Sequence, residues 1–127
     1  MSKLSKKTLK ITILTLFPDF IQRYFQFGII ARAIAAKIVR LKAINIRKFG
    51  LDKRGTVDGR PYGGGVGMVF RPDVLYKSIK ATISQNLAIR KKQRVILLCP
   101  QGKPFSQKQA KRLAKYNELI FVAGRYE

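Results

Sequence analysis

Residues 95–102 read Val95-Ile96-Leu97-Leu98-Cys99-Pro100-Gln101-Gly102, an apolar run halted by proline and glycine. Five aliphatic or thiol side chains in a row are too few for a helix and suit a buried strand, Val95–Cys99. Pro100 and Gly102 then turn the chain, since proline cannot donate to a ladder and glycine tolerates tight backbone. Ser106 is a natural N-cap for a helix over Gln107–Tyr116, and Leu119–Ala123 is a second apolar strand. Strand, helix and strand in that order form a crossover unit, which implies parallel strands.

Working toward the N-terminus, the same alternation continues. Leu9–Leu16 is rich in β-branched and apolar residues, and a buried strand is expected over 9–17. Pro18 opens a helix over Asp19–Phe27, Gly28 breaks it, and a second helix is expected over Ile29–Val39 on the stripe Ile30, Ala33, Ile34 and Ile38. Leu41–Ile46 reads as another strand. Residues 47–71 lack apolar periodicity and read as one long loop, a length usually reserved for function or disorder. Leu75, Ile79, Ile83 and Leu87 fall four apart and predict a helix over Pro72–Leu87. The predicted architecture is therefore α/β: one domain, 9–127, with a mainly parallel sheet, helices on both faces, and a basic tail at 1–8.

The 127 residues include 27 Lys and Arg against 6 Asp and Glu, a formal net charge of +21. Such an excess favours a polyanionic partner, nucleic acid before an anionic membrane, because no long amphipathic basic helix stands out. No run is long enough to span a bilayer, and the apolar stretch after the N-terminal lysines stops at Pro18-Asp19, short for a signal peptide. The cytoplasm is the expected location. The lone Cys99 excludes an internal disulfide and reads as a small buried hydrophobe. Histidine is absent, which removes Ser-His and Cys-His nucleophilic pairs and histidine-based metal sites.

Chemistry concentrates in three places. The first is Gly59-Arg60-Pro61-Tyr62-Gly63-Gly64-Gly65-Val66-Gly67-Met68, half glycine. It is either a mobile surface loop or a close-approach surface, with Arg60 as a phosphate donor and Tyr62 as a stacking plane. Asp58 stands before it and could accept a proton, accept a hydrogen bond from a base, or pair with Arg54 or Arg60. The other two places are the strand ends Pro100-Gln101-Gly102 and Gly124-Arg125-Tyr126-Glu127. These are either ordinary turns or ligand-binding ends, since open α/β sheets bind ligands at the carboxyl ends of their strands. Leu97, Leu98 and Tyr126 would wall an adenine-like ring. No glycine precedes Lys-Ser or Lys-Thr, and Gly-x-Gly-x-x-Gly spacing is missing, so neither standard nucleotide loop is present. Lys103, Lys108, Lys111, Arg112 and Lys115, with the run Arg90-Lys91-Lys92, supply phosphate-facing charge that positions a nucleic acid without reading its sequence.

Four blocks taken together resemble the N-terminal part of the bacterial tRNA (guanine-N1)-methyltransferases: Leu16-Phe17-Pro18, Val57 through Met68, Pro100-Gln101-Gly102, and Gly124 through Glu127. The resemblance covers about Leu9 to Glu127. It implies a SPOUT-type α/β fold with a deep trefoil knot, incomplete in this chain, and a homodimer whose interface completes each site. It implies methyl transfer from S-adenosylmethionine to N1 of guanine 37, beside the tRNA anticodon. The cofactor would lie against Leu97, Leu98, Pro100, Gln101, Gly102, Gly124, Tyr126 and Glu127. The guanine and tRNA would meet Arg54, Asp58, Arg60, Tyr62, Gly64 and Gly67, and Glu127 would help bind Mg2+.

Three positions depart from the family's usual pattern: Arg54 replaces a histidine, Gly59 an aspartate and Leu97 a tyrosine. The family's catalytic aspartate and arginine follow the segment equivalent to Glu127, so a fragment inactive by itself is expected. The alternative from composition alone is a small basic RNA-binding protein without catalysis.

Overall fold

A computed structural model describes residues 7–50, 58–59, 69–70, 72–99 and 102–123. The elements in chain order are β1 (Leu9–Thr15), α1 (Pro18–Tyr24), α2 (Gly28–Ala35), β2 (Val39–Asn45), a 3-10 turn (Ile46–Phe49), β3 (Asp58–Gly59), β4 (Val69–Phe70), α3 (Pro72–Thr82), α4 (Leu87–Arg90), β5 (Gln93–Leu97), α5 (Gln107–Leu113) and β6 (Glu118–Ala123). Four strands form one parallel sheet in the order β2-β1-β6-β5, and β3 pairs antiparallel with β4. The α/β class with a parallel sheet is as the sequence implies.

The register divides the sheet into two faces. Leu14 lies opposite Ile44 and Val122, while Ile120 lies opposite Val95. This face carries the core of Leu14, Leu16, Ile46, Val74, Ile120 and Val122, with Leu75, Ile79 and Ile83 of α3 packed against it. The other face buries Leu119, and α5 brings Leu113 to that side. Right-handed crossovers explain the split. β1-to-β2 and β5-to-β6 step in the same direction along the sheet and share a face. The β2-to-β5 crossover steps back and puts α3 on the opposite one.

Helix boundaries follow local chemistry that the apolar stripe alone misses. The helix expected to reach Val39 stops at Ala35. Lys37 takes φ 61°, its N–H donates to Ile34 O at 3.0 Å, and Ile38 N donates to Ala33 O at 3.0 Å. That is a Schellman ending without its usual glycine. It frees Val39 and Arg40 to pair with Leu9 and Lys10, so β2 begins two residues before the expected Leu41. At Gly28, φ is +67° and an added Cβ would meet nothing within 4 Å, so the backbone angle rather than space calls for glycine.

The helix expected over Pro72–Leu87 also ends early, at Thr82. Asn86 caps a separate short helix by accepting from Ala88 N and Ile89 N, and Leu87 is left exposed. Gln93 braces the break. Its side chain is buried, accepts from Ser84 N at 2.9 Å and donates to Glu118 Oε1 at 2.7 Å. β5 accordingly begins at Gln93, two residues before Val95. Ser106 caps α5 as expected, accepting from Gln109 N at 3.3 Å.

Two further expectations need correction. The stretch 47–71 is not wholly loop: Ile46–Phe49 forms a 3-10 turn with Ile46 buried, and Asp58–Gly59 pairs with Val69–Phe70. Leu9–Phe17 is not buried throughout either. Lys10 and Phe17 are exposed: Lys10 shares the face of Leu14 but lies at the amino end of the strand, in an open groove, and Phe17 lies past the strand's end at Thr15. There Thr15 Oγ1 accepts from Phe17 N at 3.1 Å and starts the turn into α1.

Candidate functional site

Parallel strands present their carboxyl ends together. Thr15 lies opposite both Asn45 and Ala123, and Leu97 lies opposite Val122. The connections leaving these strands therefore share one end of the sheet. β6 stops at Ala123, the residue before the Gly124-Arg125-Tyr126-Glu127 block.

At β5 the ladder persists one residue beyond the strand, since Leu98 N donates to Val122 O at 3.1 Å. The chain then turns back, with Gly102 N donating to Cys99 O at 3.2 Å. Beside this turn, between β5 and α5, a cleft of about 430 Å³ is lined by Leu97, Leu98, Cys99, Gly102, Phe105 and Phe121 among others. Leu97 is 59% exposed, Leu98 53% and Phe105 74%, so a patch of apolar surface faces the open end. Arg94, Lys103 and Arg112 add positive charge around it. Arg112 is held in place, its Nε and Nη2 both donating to Gln109 Oε1, at 3.2 and 2.7 Å.

Cys99 is exposed, contrary to the buried role expected from its apolar neighbours. β5 is an edge strand, and the run Val95–Cys99 extends beyond the part of the sheet that α3 covers. The three aliphatic or thiol residues at its end are cleft lining rather than core.

Gly102 adds a sharper point. Its φ lies outside the left-handed region, and a Cβ built there would sit 3.5 Å from Cys99 O and 3.9 Å from Cys99 Sγ, ordinary van der Waals distances. Nothing in the described fold requires glycine at this position. The Gly102 backbone is left uncovered beside the cleft.

Of the sequence-derived site residues, Leu97, Leu98 and Gly102 are thus brought to one cleft. Asp58 is placed by its backbone alone, in β3 opposite Phe70. Pro100, Gln101, Gly124, Tyr126, Glu127, Arg54, Arg60, Tyr62, Gly64 and Gly67 lie outside the described residues. Phe105 and Phe121 were missed by sequence reasoning. Phe105 had a signal, an isolated aromatic between Pro104 and the cap Ser106; Phe121 had none, because in a strand it reads as core. Among the described residues, no cluster of acidic, Cys or His side chains is arranged to hold a metal ion, and no helix is long and apolar enough to cross a membrane.

Comparison with known proteins bears on what the cleft holds. The sequence model of the family described as tRNA (Guanine-1)-methyltransferase TrmD matches residues 9–127. A tRNA (guanine-N(1)-)-methyltransferase of Desulforamulus reducens is 43% identical over 119 residues, covering 94% of this chain and 46% of that protein. Proteins of the same name from Bacillus cereus and Bacillus anthracis are 41% identical over 119 residues, covering 94% of this chain and 48% of each relative. The chain spans about half the length of these curated relatives.

Proposed function

The chain belongs to the tRNA (guanine-1)-methyltransferase family, and from that premise we propose that the protein transfers a methyl group from S-adenosylmethionine to N1 of a tRNA guanine. The finer reading is guanine 37, beside the anticodon, with the protein acting in the cytoplasm as a homodimer of the knotted SPOUT class. One observation carries the proposal: the strand-end residues Leu97, Leu98 and Gly102 share one cleft, and among the described residues no contact calls for glycine at position 102.

The cleft fits the methyl donor in size and chemistry. A volume of about 430 Å³ lies within the range of small-molecule sites, which combine apolar walls with a few polar groups. Leu97, Leu98 and Phe105 offer apolar faces to a purine ring, and the bare backbone at Gly102 allows close approach. S-adenosylmethionine supplies a methyl group already activated by its sulfonium, so no protein nucleophile is required. The chain's lack of histidine is compatible with that chemistry.

What remains for the protein is positioning, and removal of the proton from guanine N1, so that the nitrogen lone pair attacks the methyl carbon as the bond to sulfur breaks. Within the proposal, Asp58 and the residues Arg54, Arg60, Tyr62, Gly64 and Gly67 receive the guanine and its tRNA. Pro100, Gln101, Gly124, Tyr126 and Glu127 complete the donor site, with Glu127 also binding Mg2+. The homodimer is supported by exposed apolar side chains on and beside α1 and α2: Phe17, Phe20, Tyr24, Phe27 and Ile29.

Titration calorimetry with S-adenosylmethionine tests the site; transfer of labelled methyl groups to unmodified tRNA tests the family's reaction, which these 127 residues by themselves are not expected to catalyse. Saturable binding that S-adenosylhomocysteine competes away is the expected result. RNA binding with no S-adenosylmethionine binding would instead mark a basic RNA-binding protein and refute the proposal.

A further inference from the structure

A second concavity, of about 540 Å³, lies on the α3-bearing face toward the amino ends of the strands, away from the strand-end cleft. Its floor is β1 and β2. One wall is the last turn of α3, at Ala81 and Thr82, and the other is the 3-10 turn with Lys48 and Phe49. The register puts Arg40 directly beside Lys10, Lys10 beside Glu118, and Lys42 beside Thr12.

Four cations, Lys10, Arg40, Lys42 and Lys48, thus share one groove and are all exposed. Among the described residues no hydrogen bond or ion pair occupies them. Against them stand one carboxylate, Glu118, and the carbonyl end of α3. The Glu118 carboxylate is already engaged, accepting from Gln93 Nε2 at 2.7 Å.

Like charges at directly paired strand positions destabilise a sheet, so folding alone gives no reason for Arg40 beside Lys10. A concave site of one sign also concentrates field and draws in an opposite charge. Arg40 and Lys42 are two residues apart on one strand, about 6.6 Å, a separation that successive phosphates of an extended strand can match. Phe49 gives the groove a flat apolar wall.

We propose that this groove is an RNA-binding surface: it seats a run of backbone phosphates through Lys10, Arg40, Lys42 and Lys48, separately from the strand-end cleft. The choice of RNA rests on the family reading given above, whereas the groove itself rests on its charge and register alone.

The test is fluorescence anisotropy with a labelled, unmodified tRNA transcript over a range of salt concentrations. The triple variant Lys10→Gln, Arg40→Gln, Lys42→Gln is compared with a charge-matched triple on the opposite face, Arg23→Gln, Arg32→Gln, Lys37→Gln. Loss of three phosphate contacts should weaken binding about tenfold or more at moderate salt and shrink the salt slope by about 2. The opposite-face triple lies on α1, α2 and the turn after α2, so sedimentation first matches its assembly state to the parent's; it should then retain most of the affinity and the slope.

Thermal unfolding at low salt guards against misfolding, and the groove triple should be at least as stable as the parent, since mutual repulsion is relieved. Equal losses from both triples would show general charge attraction and overturn the groove, as would no loss from the groove triple or an RNA-indifferent parent protein. S-adenosylmethionine titration of the same samples reads the strand-end cleft independently, so failure of the groove and failure of the methyltransferase reading are told apart.

Discussion

Replacing Gly102 by alanine separates what the fold needs from what the ligand needs. The added Cβ would lie 3.5 Å from Cys99 O and 3.9 Å from Cys99 Sγ, ordinary contacts, and the backbone angle is one that alanine accepts. Glycine-to-alanine changes at such compatible positions stabilise a protein by about 0.4–1 kcal/mol, through lower entropy of the unfolded chain. Gly102→Ala should therefore unfold at the same denaturant concentration as the parent or slightly above it. The same methyl group would stand at the surface of the cleft. If S-adenosylmethionine packs against residue 102, overpacking costs about 1–3 kcal/mol, and at about 1.4 kcal/mol per decade this is roughly a 5- to 150-fold loss of affinity. Urea unfolding and titration calorimetry on the same preparation measure both quantities. Unchanged affinity would refute the placement of the donor against this turn. A large loss of stability would refute the reading that no part of the fold needs glycine there.

Two other perturbations probe the scaffold. Lys37→Gly removes a side chain from a left-handed position, φ 61°, whose cost is about 1–2 kcal/mol; after the extra unfolded-state entropy of glycine, a net gain of about 0.5–1 kcal/mol should raise the urea midpoint. Ile120→Ala empties a fully buried site between β1, β5 and α3, and should lower unfolding free energy by about 2–5 kcal/mol in the same assay, enough to unfold a marginal domain.

How much was legible follows from the range of the forces involved. Element types came from local pattern. The β-branched runs, Pro18 as helix opener and Ser106 as cap are short-range signals, and each has its counterpart in the structure. The boundaries that shifted carried no such residue signal. α3 stops at Thr82 while Gln93, eleven residues later, bonds Ser84 N and Glu118. α2 stops at Ala35 by a local device, with Lys37 in place of the usual glycine and two closing backbone bonds.

The candidate site divides the same way. Leu97, Leu98 and Gly102 carried a readable motif, whereas Phe121 is a cleft residue only because β5 happens to be an edge strand. Cys99 looked buried for the same reason: an apolar run has no local mark saying how far along it the covering helix reaches.

The sequence by itself determined the α/β class, the strongly basic charge and the family, because periodicity, net charge and ordered motifs need no third dimension. Only the tertiary structure decided that no contact among the described residues demands glycine at position 102, and that Lys10, Arg40, Lys42 and Lys48 meet in one groove. Those facts depend on strand register and crossover handedness, which bring together residues far apart in the chain, and no local signal records them.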